Sequence, residues 1–296
     1  MSLPPSSRRH ALRTAAALVA LPSLSALLAA CSPLGLANAL APTGGYRLTR
    51  DLRFREGPRG ALDLYEPEGA APDAPLVVFF YGGGWQGGAK EEYRWAAQSL
   101  AAEGFAVAVP DYRVHPEARW PAFVEDGAAA IRWTRDNARS FGGDPDRITV
   151  AGHSAGAHIA ALLALDPRWL RGAGVDPRTI KGGALLAGPY DFLPLTDPRS
   201  RAALGNWPRP AETQPITYAR PGAPPLWLGH GTADATVRPR NSEALAAALR
   251  AAGAPVELNL YPGKGHVDLA LGLARPFRGR VAVLRDSAAF LRERSR

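Results

Sequence analysis

The feature that most constrains the fold of this chain is a serine bracketed by two glycines, placed between a strand pattern and a helix pattern. A β-branched run at 148–150 leads into the pentapeptide from Gly152 to Gly156, and a nearly all-apolar stretch follows. This is the G-x-S-x-G pattern in the strand–turn–helix context that it requires. Such a tight turn leaves no room for larger side chains at the glycines and strains the backbone of the serine. The pattern predicts that the hydroxyl of Ser154 is held out at the carboxyl edge of a sheet.

Strand and helix patterns alternate through the rest of the chain. A continuous apolar run, typical of a strand buried on both faces, lies at 76–81, and further strand patterns follow at 105–109, 147–151, 183–187, 226–229 and 256–261. Two edge-strand patterns precede them, from residue 46 onward. This alternation predicts one α/β domain with a mostly parallel, eight-stranded sheet and helices on both faces. Of the 296 residues 46% are hydrophobic, which suffices for such a core without a disulfide or a metal.

The N-terminal residues have a different character. Residues 1–13 are polar and basic, and residues 14–30 form an uncharged apolar run that is too short and too rich in alanine for a comfortable membrane span. The run ends at Cys31 in a pattern that resembles a bacterial lipobox, and the two arginines near the N-terminus resemble part of a twin-arginine export signal. We therefore expect a signal peptide over 1–30, a tether over 31–45 and a folded domain over 46–296.

These features predict an exported protein that a lipid on Cys31 holds at the periplasmic face of a membrane. The alternative is an ordinary cleaved signal peptide followed by a chance cysteine, which would give a soluble periplasmic or secreted protein. The sequence has one cysteine, so no intrachain disulfide can form. The formal net charge is +8, but the arginines are scattered and mostly lie beside acids. Because no basic stripe is present, we do not expect nucleic-acid binding.

A serine hydroxyl becomes an effective nucleophile only when a base takes its proton. His266 follows the last strand pattern in a glycine-containing loop, which lets its imidazole reach over the edge of the sheet. We predict that His266 is the base for Ser154. The other histidines of the folded domain are expected to have structural roles; they are His115, His153, His158 and His230.

The base in turn needs a carboxylate that fixes its tautomer and stabilises the imidazolium. Asp234 follows directly after a buried strand pattern and precedes His266 by one helix and one strand. We therefore predict that Asp234 is the acid. The rival acids are Asp191, which opens a proline-rich segment, Glu257, which lies along a strand, and Asp268, which is too close to His266 in sequence to orient it easily.

Three consecutive glycines follow the first buried strand pattern, at 82–84. Glycines allow the backbone to approach a ligand closely and to point N–H groups at it. The first amide of the helix after Ser154, that of Ala155, adds another donor. We predict an oxyanion hole formed by amides of this glycine loop together with that of Ala155, in which each donor is worth about 3 kcal/mol of transition-state stabilisation.

The chain resembles the α/β-hydrolase superfamily in segments 81–88, 111–113, 143–158, 223–237 and 265–266. Within it, the resemblance is to bacterial carboxylesterases and lipases with an H-G-G-G-W loop, of the hormone-sensitive-lipase-like and acetyl- or feruloyl-esterase-like branches. It covers about residues 60–275 and implies Ser154, Asp234 and His266 as the catalytic triad. It also implies that the amides of Gly83, Gly84 and Ala155 form the oxyanion hole. Tyr81 stands where the family usually has the first histidine of the loop, and its hydroxyl could support the loop instead.

The resemblance implies a serine carboxylester hydrolase that needs no cofactor. Zinc-ligand spacings are absent from the sequence, so no metal is expected either. The substrate pocket should lie between Trp85, the short proline-rich segment 189–221 and the loop near Val237. An open site of this kind favours small esters with short acyl groups.

Two other functions stay open. The glycine loop and the serine turn also resemble those of arylformamidases, which predicts hydrolysis of an amide with the same triad. A non-catalytic binding lipoprotein with this fold is the alternative from a different class. The sequence leaves the oligomeric state and the natural substrate undetermined.

Overall fold

The computed structural model describes residues 33–69 and 72–296, and the strands of that part form one eight-stranded sheet. In chain order the strands are β1 (Tyr46–Arg53), β2 (Ala61–Pro67), β3 (Ala74–Phe80), β4 (Ala106–Pro110), β5 (Gly143–His153), β6 (Ile180–Leu186), β7 (Leu226–Gly231) and β8 (Val256–Tyr261). Their order across the sheet is β1-β2-β4-β3-β5-β6-β7-β8. The pairs β1–β2 and β2–β4 are antiparallel and the other pairs are parallel. The predicted α/β fold with a mostly parallel sheet is confirmed.

Helices connect the parallel strands and pack against the sheet. In the described part the α-helices are α1 (Pro33–Ala39), α2 (Arg94–Ala101), α3 (Ala122–Asn137), α4 (Ala155–Leu165), α5 (Pro167–Gly172), α6 (Pro198–Leu204), α7 (Arg240–Ala251), α8 (His266–Leu271) and α9 (Val283–Arg294). Short 3₁₀ helices lie at Lys90–Tyr93, Ala138–Phe141, Pro177–Thr179, Pro210–Thr213 and Pro215–Tyr218. Because the connections cover the faces of the sheet, the central strand β3 is buried on both sides, and all five residues from Leu76 to Phe80 are apolar and buried.

The strand order reverses direction at β3, and this reversal positions the site. The chain passes from β3 outward to β4 and then returns to β5 on the other side of β3. In open α/β sheets such a point leaves a crevice outside the carboxyl ends of the strands. The glycine loop follows β3 and Ser154 follows β5, so both border this crevice.

Residues 33–45 differ from the expected tether. The segment contains α1, which packs against α8 and against the 3₁₀ helix at Lys90–Tyr93. Ala37 is completely buried, and the Arg94 guanidinium donates a hydrogen bond to the carbonyl of Asn38 (2.7 Å). The tether prediction is wrong for these residues because apolar side chains of α1 pack onto the domain, which includes them.

The predicted signal peptide over 1–30 and the predicted lipid attachment at Cys31 lie outside the described residues. Across 33–69 and 72–296, no helix is both long and apolar enough to cross a membrane.

Candidate active site

The turn between β5 and α4 holds Ser154 in a strained conformation. Its φ of 56° lies in the left-handed region, which non-glycine residues seldom adopt, and its ψ is −122°. Close packing explains both flanking glycines. A Cβ atom on Gly152 would come within 2.6 Å of the backbone of Gly156, and one on Gly156 would collide with the carbonyl of Phe80. Both glycines of the G-x-S-x-G turn are therefore required because there is no room for a side chain, as the sequence predicts.

The structure brings Ser154, His266 and Asp234 together in one hydrogen-bonded chain. The Ser154 hydroxyl lies 2.9 Å from Nε2 of His266, and Nδ1 of His266 lies 2.7 Å from Oδ2 of Asp234. A carboxylate only accepts hydrogen bonds, so Nδ1 carries the proton and Nε2 is free to accept one from the serine. This is the arrangement that a Ser-His-Asp triad requires.

Asp234 is held in its ionised form. Burial of the carboxyl opposes ionisation, but hydrogen bonds from His230, His266 and the Val237 amide outweigh that effect and keep its pKa well below the usual value. The second oxygen of the carboxylate accepts from the backbone amides of Thr236 (2.9 Å) and Val237 (2.8 Å). A fixed negative charge therefore lies beside Nδ1 of His266.

The rival acids make other contacts. Asp268 accepts a hydrogen bond from the amide of Gly265 (2.8 Å) at the start of α8. Glu257 lies 3.8 Å from the guanidinium of Arg294. The backbone amide of Asp191 donates to the side chain of Asn241 (2.9 Å), so Asp191 helps to anchor its loop. Of the four acids considered, the structure places only Asp234 against His266.

His153 and His230, for which the sequence predicts structural roles, both lie against the predicted triad. His153 is buried, and its Nε2 faces the carbonyl of His266 at 3.3 Å while its Nδ1 accepts from the hydroxyl of Tyr93 (3.1 Å). Burial, together with repulsion from His266, lowers the pKa of His153 to about 3, so the ring is neutral and donates through Nε2. His153 thereby fixes the backbone that carries the base.

His230 supports the acid. Its Nε2 donates to the carbonyl of Val237 (2.8 Å) and lies 3.3 Å from Asp234 Oδ2. Its Nδ1 accepts from the hydroxyl of Ser242 (2.7 Å). Sequence reasoning missed this role, although the four-residue spacing between His230 and Asp234 at the end of a strand was a usable signal.

The glycine loop presents free amides beside Ser154. Gly83 and Gly84 have φ values of 147° and 60°, and a Cβ atom on Gly83 would collide with the carbonyl of Gly87. Within the described part of the chain, the amides of Gly83, Gly84 and Ala155 donate to no other backbone group. All three residues line the same cavity as Ser154. This placement suits the stabilisation of a negative oxygen.

Tyr81 supports the glycine loop through contacts with the buried residues beside it. It is completely buried, its ring stacks on that of Tyr112 at 4.5 Å, and its hydroxyl donates to the carboxylate of Asp111 (2.9 Å). Arg59 donates both to this hydroxyl (3.2 Å) and to the carbonyl of Gly88 (2.9 Å). Burial raises the pKa of Tyr81 well above its usual value, so the hydroxyl stays protonated and can donate.

Ser154 and His266 open into a cavity of about 770 Å³. Trp85 forms part of its wall, where the indole stacks against Phe192 at 5.9 Å and donates to Nδ1 of His158 (3.3 Å). His158 is completely buried and donates through Nε2 to the carbonyl of Thr213 (2.8 Å). His158 therefore positions Trp85. His115, in the loop after β4, donates its backbone amide to the carbonyl of Trp85 (2.8 Å).

The segment 189–221 supplies much of the remaining wall, through residues between Phe192 and Ser200, and Val237 lines the opposite side. In the part of the chain described here, no group of three or more His, Cys, Asp or Glu side chains is arranged to hold a metal ion.

Two family models match the chain. The model described as BD-FAE matches residues 62–171, and the one described as the prolyl oligopeptidase family matches residues 191–295. The first contains the glycine loop and the serine, and the second contains Asp234 and His266. Both halves of the proposed triad therefore lie in recognised segments.

Curated relatives carry esterase names. A probable isoprenylcysteine alpha-carbonyl methylesterase of Oryza sativa subsp. japonica is 33% identical over 79% of this chain and 60% of its own length. Esterase LipQ of Mycobacterium tuberculosis is 34% identical over 79% of this chain and 59% of its own length. The chain thus spans about 60% of the length of these relatives.

Solved structures share the architecture. Esterase 2 of Thermogutta terrifontis superposes with a TM-score of 0.71 at 28% identity, covering 85% of this chain and 96% of that one. It has also been solved with propionate and with butyrate bound. A carbohydrate esterase from gut microbiota has a TM-score of 0.71 at 22% identity, covering 86% and 99% of the two chains, and supports the fold alone.

Proposed function

Because this chain belongs to the α/β-hydrolase superfamily, in the group of its carboxylesterases, we propose that it hydrolyses carboxylic esters through an acyl-enzyme on Ser154. One observation carries the proposal: the hydrogen-bonded chain from Ser154 through His266 to Asp234, with distances of 2.9 and 2.7 Å, lies beside unengaged amides in one cavity. The esterase names of the relatives agree with it.

In this mechanism Ser154 Oγ attacks the ester carbonyl while Nε2 of His266 accepts the hydroxyl proton. The carbonyl oxygen becomes negative and is bound by the amides of Gly83, Gly84 and Ala155. The bond to the alcohol then breaks, and His266 returns the proton to the leaving oxygen. A water molecule attacks the acyl-enzyme by the same route, so that the acid leaves and Ser154 is restored.

The cavity favours a short acyl group. Trp85 and Phe192 are stacked on each other and form an aromatic wall beside Ser154, and His158 holds that wall through a buried hydrogen bond. A rigid wall cannot move aside for a longer chain, so it limits the length of the acyl group that the cavity accepts. The propionate and butyrate bound to the related esterase agree with a short-acyl preference.

Hydrolysis of a panel of soluble substrates tests the proposal. The panel contains p-nitrophenyl esters with acyl chains of increasing length, an N-formyl aryl amine and a peptidyl p-nitroanilide, since the match to the prolyl oligopeptidase family makes amide hydrolysis the second candidate. We expect turnover of the short esters, and Ser154→Ala should abolish it. Faster turnover of either amide would transfer the assignment to amide hydrolysis, and ester turnover that survives in Ser154→Ala would refute the mechanism.

We also propose that the protein is exported and that Cys31 carries the lipid that attaches it to the periplasmic face of a membrane. The lipobox-like run before Cys31 supports this. Wild-type protein should sediment with membranes, whereas Cys31→Ser should be recovered in the soluble fraction. Membrane association of Cys31→Ser equal to that of the wild type would contradict the attachment.

A further inference from the structure

Helix α1 connects the proposed lipid attachment to the mouth of the active site. Leu34 lines the cavity that contains Ser154, and α1 packs against α8, whose first residue is His266. Cys31 precedes Pro33 by two residues, and two residues of extended chain span at most about 7 Å. The residue that carries the lipid would therefore lie within about 7 Å of the start of α1.

The mouth carries an apolar rim. Among the described residues, five large hydrophobic side chains are exposed, of which two line the cavity and two lie on or directly after the helix that contributes Leu34 to it. Leu193 and Val267 line the cavity, and Leu36 and Leu40 lie on α1 or directly after it. These four side chains are between 36% and 52% exposed. Single exposed apolar residues are ordinary, but a group around a concave site marks an interaction surface.

Basic side chains accompany the apolar rim. The cavity lining contains three arginines and two acids, namely Arg199, Arg238, Arg240, Glu92 and Asp197. Arg199 lies 3.9 Å from Asp197, whereas Arg238 and Arg240 have no acidic partner within 4.0 Å in the described part of the chain. Exposed arginines near a bilayer attract anionic headgroups, at about 1 kcal/mol each.

The geometry points to a lipid bilayer as the partner of this rim: the active-site mouth faces the membrane surface, and the enzyme takes ester substrates from the lipid interface. This inference rests on the proposed lipid attachment and, for the substrates, on the proposed ester hydrolysis. A short anchor leaves the domain little freedom to turn away, so the apolar side chains nearest Cys31 meet the bilayer first. Leu193 borders the same cavity as Leu34, and this orientation places it at the bilayer as well.

Spin labels on the full-length, membrane-attached protein test the orientation. A lipid on Cys31 blocks its thiol, so an added cysteine is the only one that reacts with the label. Leu36→Cys and Leu193→Cys report on the rim. Ser140→Cys is the matched control, since Ser140 is exposed and precedes β5, whereas Ser154 follows it. The seven residues of β3 pair alongside residues 143–152 and span roughly 20 Å, which separates these two ends.

In vesicles of phosphatidylethanolamine and phosphatidylglycerol, both rim labels should collide more often with oxygen, which concentrates in lipid, than with a water-soluble nickel chelate. The label at Ser140 should show the opposite preference. A Leu193 label that matches the Ser140 label, or a protein that does not attach to the vesicles, would overturn the inference. Because the measurement needs no turnover, its result is independent of whether the ester hydrolase proposal holds.

A second variant tests the route of the substrate. Leu36→Glu/Leu40→Glu changes two side chains that do not line the cavity. Hydrolysis of an amphiphilic ester embedded in vesicles should fall several-fold, while hydrolysis of p-nitrophenyl acetate in solution should stay at the wild-type rate. An unchanged ratio of the two rates would refute uptake from the interface.

Discussion

Replacing Asp234 by asparagine isolates the role of one proton in the site. The remaining oxygen of the asparagine can still accept hydrogen bonds from the amides of Thr236 and Val237, which lie 2.9 and 2.8 Å from Asp234 Oδ1. The new NH₂ group then takes the position of Oδ2, 2.7 Å from Nδ1 of His266. Two N–H donors cannot face each other, so His266 must move its proton to Nε2.

In that tautomer Nε2 no longer accepts a proton from Ser154, although all atoms stay near their places. The corresponding exchange in serine proteases lowers kcat about 10⁴-fold, which equals about 5.5 kcal/mol of activation free energy. We expect a loss of this size for Asp234→Asn. Its thermal stability should change little, because the backbone hydrogen bonds of the loop and the bond from His230 to the Val237 carbonyl remain.

The assay is kcat for a p-nitrophenyl ester, measured with the melting temperature of each variant. Asp268→Asn is the matched control, because Asp268 lies two residues from His266 and its bond to the Gly265 amide survives as an amide oxygen. The control should keep kcat within a few-fold of the wild type. If Asp234→Asn kept more than about a tenth of the activity, or if Asp268→Asn lost as much, the assignment of the acid would be refuted.

The remaining predictions concern the turn and the buried histidines. Gly156→Ala should prevent correct folding, since its Cβ would collide with the Phe80 carbonyl, and a wild-type melting temperature would contradict this. His153→Phe should lower kcat more than it changes KM, because it removes the donor to the His266 carbonyl; equal effects on both would count against a positioning role. Burial lowers the pKa values of His153 and His158 to about 3 and 4, so the unfolded chain binds more protons below pH 6.5. The free energy of unfolding, measured with urea, should therefore fall as the pH drops from about 6.5 to about 4, by up to about 1.4 kcal/mol per pH unit for each histidine. His158→Gln should reduce that slope, and an unchanged slope would show that His158 does not contribute.

The sheet and the serine turn were predictable because their signals are local. Five residues around Ser154 contain both the steric requirement for glycine and the strand-to-helix change, and the apolar run of β3 is continuous in sequence. The positions of Asp234 and His266 followed from the topology, since the carboxyl ends of parallel strands meet at one edge of the sheet.

The docked helix α1 was not predictable in this way. Residues 33–45 carry no charge and are rich in Ala, Gly and Pro, which is also the composition of a linker. The groups that hold α1, among them the Arg94 guanidinium and the carbonyl of Glu91, are more than 50 residues away in sequence. Only the three-dimensional structure shows that they complement α1.

The supporting roles of His153 and His230 depend on single hydrogen bonds at the right distance. A histidine inside a turn or at a strand end usually satisfies its own surroundings, so the sequence favoured a structural role for both. Their contacts with the His266 carbonyl and with Asp234 arise because β5, β7 and the loop before α8 meet at one point.

The central claim is that Ser154 is the nucleophile of an acyl-transfer site, and covalent labelling tests it most directly. A p-nitrophenyl phosphate triester is incubated with the wild type and with Ser154→Ala, and the adducts are located by peptide mass spectrometry. We predict one adduct per chain, located on Ser154, with release of one p-nitrophenolate, and no adduct in Ser154→Ala. A wild-type chain that releases p-nitrophenolate without modification of Ser154, or equal labelling of Ser154→Ala, would contradict the claim.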